Sequence, residues 1–176
     1  MTDEQLRSLV AQAPFGRELT GDEIHALVAF AEVQEAGKGD LILSEGTPAP
    51  GLLVLADGEV EVVKRGDDGQ MHQLAVLEAG ATLGESGITG IHGASATVRV
   101  TKPARYLLIR GEAFTRLIDE HPKVAAKIAL AIARVENHRL HRMNVKVLDL
   151  LSQTSDGRKL EELASFREQL FANWDF

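Results

Sequence analysis

The sequence predicts a mainly β fold: a β-roll (jelly roll) with flanking helices, a long C-terminal helix and a short helical tail. Twelve of the sixteen glycines lie between residues 37 and 93. In that region short apolar runs alternate with turn residues at the spacing of small barrels and jelly rolls. Apolar residues recur at helical spacing before and after it. We therefore predict four segments: N-terminal helices over 1–30, a roll over 31–110, C-terminal helices over 111–151 and a helical tail over 152–176.

Two short helices are predicted before the roll. The first covers residues 3–12, where Leu6, Leu9 and Val10 share one face. The second follows Thr20, because Glu23 stands three residues later, as a capping box requires. Its apolar face holds Ile24, Leu27 and Val28.

The strands of the roll are predicted from short apolar and β-branched runs, at 41–43, 52–55, 60–63, 73–77, 96–100 and 104–109. Two turns separate some of these runs. Asp57-Gly58 and Asp67-Asp68-Gly69 are typical of hairpins, because Asp and Gly tolerate the positive φ angles that such turns require.

Two helices are predicted after the last strand. The first begins at Gly111 and turns Phe114, Leu117 and Ile118 inward. Pro122 suits the first turn of a long helix that reaches about residue 151. Its apolar residues recur at helical spacing, with a slip near residues 137–139: Val124, Ile128, Ile132, Val135, Leu140, Met143, Val147 and Leu150.

The order of helices, roll and helices over residues 19–143 resembles the cyclic nucleotide-binding domain. That domain occurs in bacterial catabolite activators, protein kinase A regulatory subunits and gated channels. Short motifs at matching places carry the likeness: Gly39-Asp40, Gly46, Asp57-Gly-Glu-Val-Glu-Val62, Gly80, Leu83-Gly-Glu-Ser-Gly-Ile88 and Ala94-Ser-Ala-Thr-Val98. The resemblance implies an eight-strand roll.

The resemblance also implies a phosphate-binding cassette over residues 83–98. In the family, backbone N–H groups at a helix start and one Arg hold the cyclic phosphate, and a Glu accepts a hydrogen bond from the ribose 2′-OH. Gly84 and Glu85 match the backbone and ribose positions. Ala94 stands where the family has the Arg. An alternative for Glu85 is a carboxylate that merely stabilises a helix start.

An alanine offers neither charge nor donor to a phosphate. Losing one charge-assisted hydrogen bond costs about 1.5–3 kcal/mol, which weakens binding about ten- to hundredfold. Ser95 and His92 carry the nearest polar side chains, and neither replaces a guanidinium. We interpret Arg99 as a surface or structural residue. The vestigial site is therefore Gly84, Glu85 and Ser95.

The part of the cassette that packs against later helices also departs from the family. Ser86 and Thr89 replace apolar residues. Gly87 and Gly90 are expected to loosen the short helix by up to about 1 kcal/mol each relative to Ala. The cassette is thus predicted to be degenerate in both ligand binding and relay.

Other polar clusters are weaker candidates. His138 and His141 could share a helix face near Glu136, although a solvated face is the simpler interpretation and no metal site is expected. No catalytic grouping has readable spacing. A basic stretch suits an acidic partner, a phosphate or water: Arg134, Arg139, Arg142 and Lys146. Aromatic and leucine residues crowd the tail, which either folds back or docks on a partner: Phe166, Leu170, Phe171, Trp174 and Phe176.

Composition, charge and length narrow the classes of function that the chain can have. The chain has 176 residues, a formal net charge of −7 and no cysteine. The charge disfavours nucleic-acid binding, and the absence of cysteine excludes disulfides and thiolate metal sites. The 25 residues after 151 are too few for a helix-turn-helix domain. No leader or membrane-spanning run is visible, so a cytoplasmic location is expected.

These observations predict a non-enzymatic signalling adaptor or regulator that is degenerate for cAMP and cGMP and needs no cofactor. Its partner would be another protein, with a homodimer through helix 122–151 as one form of pairing and no direct DNA contact. The alternative is a genuine low-affinity sensor of cAMP, cGMP or another nucleotide second messenger. A third option is a cassette adapted to another ligand, such as a cyclic dinucleotide or haem.

Overall fold

The computed structural model describes residues 2–90 and 93–152. The predictions for His92 and for the helical tail and its aromatic residues lie outside this part. The chain falls into two compact units with a boundary between Ala133 and Arg134.

The N-terminal helices form where the capping residues predict them. Helix α1 spans Asp3–Gln12 and helix α2 spans Gly21–Val28, with a 3₁₀ turn over Gly16–Glu18 between them. The predicted capping box is confirmed: the Thr20 hydroxyl accepts from the Glu23 N–H, and the Glu23 carboxylate accepts from the Thr20 N–H. Ile24, Leu27 and Val28 are buried, as their spacing predicts.

In the described residues, six antiparallel strands form one bent sheet. They are β1 (Glu32–Ala36), β2 (Leu41–Leu43), β3 (Gly51–Arg65), β4 (Met71–Glu78), β5 (Thr82–Leu83) and β6 (Thr97–Arg110). The main path is β1-β6-β3-β4, with β2 added to β6 and β5 added to β3. Register shifts along the two long strands, β3 and β6, bend this sheet into a roll.

One predicted hairpin is wrong. Asp57-Gly58 lies inside β3, where the pairing with β6 shifts register three times between Leu55 and Val60. Gly58 has a φ of +91°, and a Cβ there would stand 2.3 Å from the Pro103 carbonyl oxygen. Strands β3 and β6 therefore bend at this contact and each continues as a single strand. As a result, the described residues form six strands, where the resemblance implies eight. The second turn is confirmed: residues 66–70 join β3 to β4.

Alternation along β3 builds two cores. Leu52 and Val54 face the helices, whereas Leu53 and Leu55 face the interior of the roll, because successive strand side chains point to opposite sides. The helical core also includes Leu27, Leu107, Leu117 and Ile128, all fully buried. The roll interior includes Val60, Leu83, Ala94, Val98 and Val100.

The helices after the roll are α3 (Ser86–Thr89), α4 (Gly111–Glu120) and α5 (Pro122–Ser152). Phe114 and Leu117 of α4 are buried as predicted, but Ile118 is 48% exposed. The first turns of α5 bury Val124, Ile128 and Ile132 against the helical core. Lys127 donates to both carboxylate oxygens of Glu23, at 2.7 and 2.8 Å, and so joins α5 to α2. Among the described side chains of α5 after Arg134, four large apolar ones are exposed: Leu140, Met143, Val145 and Val147.

Candidate functional site

The cassette begins with a glycine that only glycine can occupy. Gly84 has a φ of +74°, and a Cβ there would lie 2.4 Å from both the Gly51 carbonyl oxygen and Leu53 Cδ1. Both the backbone conformation and the space exclude a side chain. Leu83 and Gly84 are buried, so the start of the cassette is fixed against the start of β3.

Gly87 is packed as tightly, which corrects the expectation that it loosens α3. A Cβ at Gly87 would stand 2.5 Å from the Gly51 nitrogen and 2.7 Å from its Cα. On the other side, a Cβ at Gly111 would stand 2.7 Å from the Gly87 carbonyl oxygen. Helix α3 therefore lies in close backbone contact with both β3 and the start of α4. Gly90 ends α3 in the left-handed conformation, with φ +70°.

The cassette keeps an apolar contact with the helices through a residue that the sequence analysis did not single out. Ile88 is half-buried and packs against the helical core. Ser86 is half-buried as well, and Thr89 is exposed. The polar residues Ser86 and Thr89 therefore lie beside an apolar contact between Ile88 and the helical core. An aliphatic residue two places after Ser86, on a one-turn helix, was the available signal.

Glu85 does not act as the cap of α3. It occupies the N-cap position with helical backbone angles, and its side chain makes no capping hydrogen bond. The alternative of a carboxylate placed at a helix start requires no such hydrogen bond and stays a prediction. Its side chain is half-buried.

Ala94, at the phosphate Arg position, is part of the protein core. It is 5% exposed and packs in the roll interior. Its backbone is bonded on both sides to the loop after β2: the Gly46 N–H donates to the Ala94 oxygen and the Ala94 N–H donates to the Thr47 oxygen, each at 2.8 Å. A Cβ at Gly93 would stand 2.4 Å from the Gly46 oxygen, so this contact is close as well.

Ser95 contacts a lysine that the sequence analysis missed. The Ser95 side chain is exposed, and its backbone oxygen accepts a hydrogen bond from Lys64 Nζ at 3.1 Å. The same ammonium lies 3.8 Å from the Glu45 carboxylate. No local pattern could have found this lysine, because only the register of β3 with β6 brings Lys64 beside Ser95. Gly84 thus lies against Gly51, and Ala94 and Ser95 lie beside the loop after β2.

Charged side chains on the outer face of the sheet form ion pairs with one another. Arg99 pairs with Glu61 at 2.6 Å, which agrees with its interpretation as a structural surface residue. Lys102 lies 2.7 Å from Glu59, and its hydrogen bond, with a second from Thr101, holds the pKa of the Glu59 carboxyl below its usual value. These side chains stabilise the outer face of the sheet.

The remaining candidates do not assemble in the structure. Glu136 pairs with Arg139 at 2.6 Å, and the described residues contain no group of three or more side chains able to hold a metal ion. In the same part of the chain, no helix is long and apolar enough to cross a membrane. A groove of about 700 Å³ lies between α1 and α2, away from the cassette, and is lined by Glu4, Arg7, Ser8, Ala11, Asp22, Ile24 and His25.

Known proteins share this fold and part of this sequence. A cyclic nucleotide-binding domain from Methylobacillus flagellatus superimposes with a TM-score of 0.74 at 21% identity, over 88% of this chain and 86% of that one. The Thermus thermophilus catabolite activator protein superimposes with a TM-score of 0.68 at 26% identity, over 80% and 63%. A putative potassium channel protein of Rhodopseudomonas palustris is 27% identical over 146 residues, 83% of this chain and 34% of its own length.

The chain spans about a third or less of the curated relatives it matches. Within the described residues, the roll is followed by α4 and α5 and by no separate DNA-binding unit. The model of the cyclic nucleotide-binding domain matches residues 33–121, half of the chain, which runs from β1 to the end of α4. The bent roll, the cassette glycines and this match together make the chain a member of the cyclic nucleotide-binding domain family.

Proposed function

We propose that this chain is a non-enzymatic, cytoplasmic regulatory domain that is degenerate for cAMP and cGMP and acts through contacts with another protein. One observation carries the proposal: the position of the phosphate Arg is occupied by Ala94, which is buried in the roll interior and fixed by two backbone hydrogen bonds. The site therefore lacks the paired donors that match a cyclic phosphate.

The expected loss of affinity for a cyclic phosphate follows from the missing guanidinium. A cyclic phosphate keeps one negative charge, and burying it beside a methyl group forfeits a charge-assisted hydrogen bond of about 1.5–3 kcal/mol. Binding weakens about ten- to hundredfold for each such bond. Ser95 supplies at most a hydroxyl from an exposed position.

The relatives support a regulatory role. The names of two of them describe a potassium channel protein and a catabolite activator protein, and this chain matches only part of each. The same roll thus accompanies different neighbouring segments. We infer that here too it controls another polypeptide, without catalysing a reaction.

The exposed apolar side chains of α5 are the surface we propose for that contact. Leu140, Met143 and Val147 recur at i, i+3 and i+7, so they share one helix face. Pairing of two copies along this face would bury it. Light scattering on the full chain tests the pairing: a dimer mass that Met143→Asp converts to a monomer is expected. A monomer mass for the unchanged chain at about 50 µM would refute it.

Isothermal titration of the full chain with cAMP and cGMP tests the loss of cyclic nucleotide binding. The unchanged chain is expected to give no saturable heat below about 100 µM, and Ala94→Arg is expected to create binding at least about tenfold tighter. Thermal melts establish whether the arginine variant is folded, since its side chain enters the core. Micromolar binding of cAMP by the unchanged chain would contradict the proposal and support the sensor. Glu85→Gln should then weaken that binding.

A further inference from the structure

Lys64 brings a positive charge to the cassette from a different strand. Its Nζ donates to the backbone oxygen of Ser95 at 3.1 Å, directly beside Ala94, although 31 residues separate Lys64 and Ser95 in sequence. A cation is therefore present next to the position from which the family's guanidinium is missing.

The register of β3 against β6 places Lys64 there. Val60 and Val62 pack in the roll interior. Lys64 lies two residues after Val62, beyond a shift in the register of β3 with β4 between Val62 and Val63. The pairing of Val62 with Val98 and of Val63 with Thr97 brings this end of β3 level with the end of the cassette. The position thus follows from strand register.

The lysine keeps the capacity to bind an anion. An ammonium has three donors, and one is used by Ser95. The Glu45 carboxylate lies 3.8 Å away, too far for a hydrogen bond, because its other oxygen accepts from the Arg65 N–H at 3.1 Å. The Lys64 side chain is 50% exposed, so a small ligand can reach it from solvent.

We propose that Lys64 is the cation of this cassette and that the site takes a small ligand with a terminal phosphate monoester, which replaces Glu45 as the anionic neighbour of the lysine. The proposal builds on the proposed loss of cAMP and cGMP binding, since it names what the altered site prefers. No bond is made or broken in the ligand.

The chemistry of the two cations explains the preference. A guanidinium is a planar fork that suits the two free oxygens of a cyclic phosphate, which carries a single charge. An ammonium is a compact point charge with no such match. A monoester carries nearly two charges at pH 7 and three terminal oxygens, so it gains more from a point charge in any orientation.

Titration calorimetry and amide chemical shifts of the full chain test the proposal with inorganic phosphate, 5′-AMP and cAMP as probes. We expect 5′-AMP to bind at least about tenfold more tightly than cAMP, with shifts at residues 64, 94 and 95. Lys64→Met should weaken 5′-AMP binding about tenfold or more, and Glu45→Gln should strengthen it, because a neutral amide neither repels the phosphate nor competes for the lysine.

Lys102→Met is the matched control, because Lys102 is a second sheet lysine paired with a glutamate, Glu59, on the outer face. It should leave 5′-AMP binding unchanged. No binding of 5′-AMP or phosphate, equal binding by Lys64→Met, or shifts confined to other residues would each overturn the assignment of Lys64. If cAMP instead binds at micromolar concentration and Lys64→Met abolishes it, the proposed function fails while Lys64 remains the cation.

Discussion

Replacing Gly87 by alanine separates two physical effects of opposite sign at the cassette. Helix propensity alone predicts stabilisation, because glycine in a helix is about 1 kcal/mol less favourable than alanine. The structure predicts destabilisation. The new Cβ would stand 2.5 Å from the Gly51 nitrogen, 2.7 Å from its Cα and 2.8 Å from the Ala49 carbonyl oxygen.

The size of the loss follows from what would have to move. All three neighbouring atoms belong to the backbone of β3 or of the loop before it, so no flexible side chain can turn away. Overpacking of this kind costs about 1–3 kcal/mol, and a backbone obstacle favours the upper half of that range. After about 1 kcal/mol of propensity is subtracted, a net loss of about 1–2 kcal/mol remains. For a chain of this length it lowers Tm by about 2–8 °C.

Urea denaturation of the full chain, followed by circular dichroism, measures this loss as a lower midpoint at an unchanged m value. Gly21→Ala is the matched control. Gly21 is the first residue of α2, and a Cβ there meets no atom within 4 Å, so alanine should be neutral or slightly stabilising. A higher midpoint for Gly87→Ala than for the unchanged chain would refute the packing argument and restore the loosening role first expected for this glycine.

Three further predictions concern the fold. Hydrogen bonds from Lys127 to Glu23 and from Arg110 to Glu32 hold the pKa values of both carboxyls below their usual value. The stability that these carboxylates contribute is therefore present above the unfolded-state pKa and is lost as pH falls through the lower folded-state pKa. The urea concentration at the unfolding midpoint should therefore decrease once the pH is below about 4.5, and it should decrease less steeply in Glu23→Gln. An equal pH dependence in the variant and the unchanged chain would contradict this. Leu107→Ala should lower the free energy of unfolding by about 2–5 kcal/mol in urea titrations, and a loss under about 1 would contradict full burial. Gly58→Ala should lower Tm, because Pro103 blocks the Cβ; an unchanged Tm would show that the bend relaxes.

Short sequence patterns were sufficient to predict the elements that depend on residues a few positions apart. The capping box at Thr20 and Glu23, the turn at residues 66–70 and the buried face of α2 all depend on residues a few positions apart. Spacing in the sequence therefore predicts them directly. The Asp57-Gly58 pair failed because its meaning depends on Pro103 on β6. The same dipeptide forms a hairpin where the chain reverses and a bulge where two long strands bend together.

The features of the cassette also divide into those that depend on neighbouring residues and those that depend on residues far away in the sequence. The absence of a cation at Ala94 could be predicted from the aligned motif, because the motif is contiguous in sequence. The role of Gly87 depends on Gly51, and the position of Lys64 depends on strand register, so neither could be predicted from neighbouring residues. Contacts across the sheet are invisible to periodicity, which reports only which side of an element a residue occupies.

Close backbone packing holds the described parts of the cassette, residues 83–90 and 93–98, against the rest of the roll. Gly84 and Gly87 lie against Gly51, Gly93 lies against Gly46, and Ile88 reaches the helical core. A site assembled in this way keeps its contact with α4 whatever occupies the anion position. Under the proposed function, the absent guanidinium lowers ligand affinity and leaves this contact intact, and an Ala94→Arg variant that binds cAMP should show little change in the packing of Ile88.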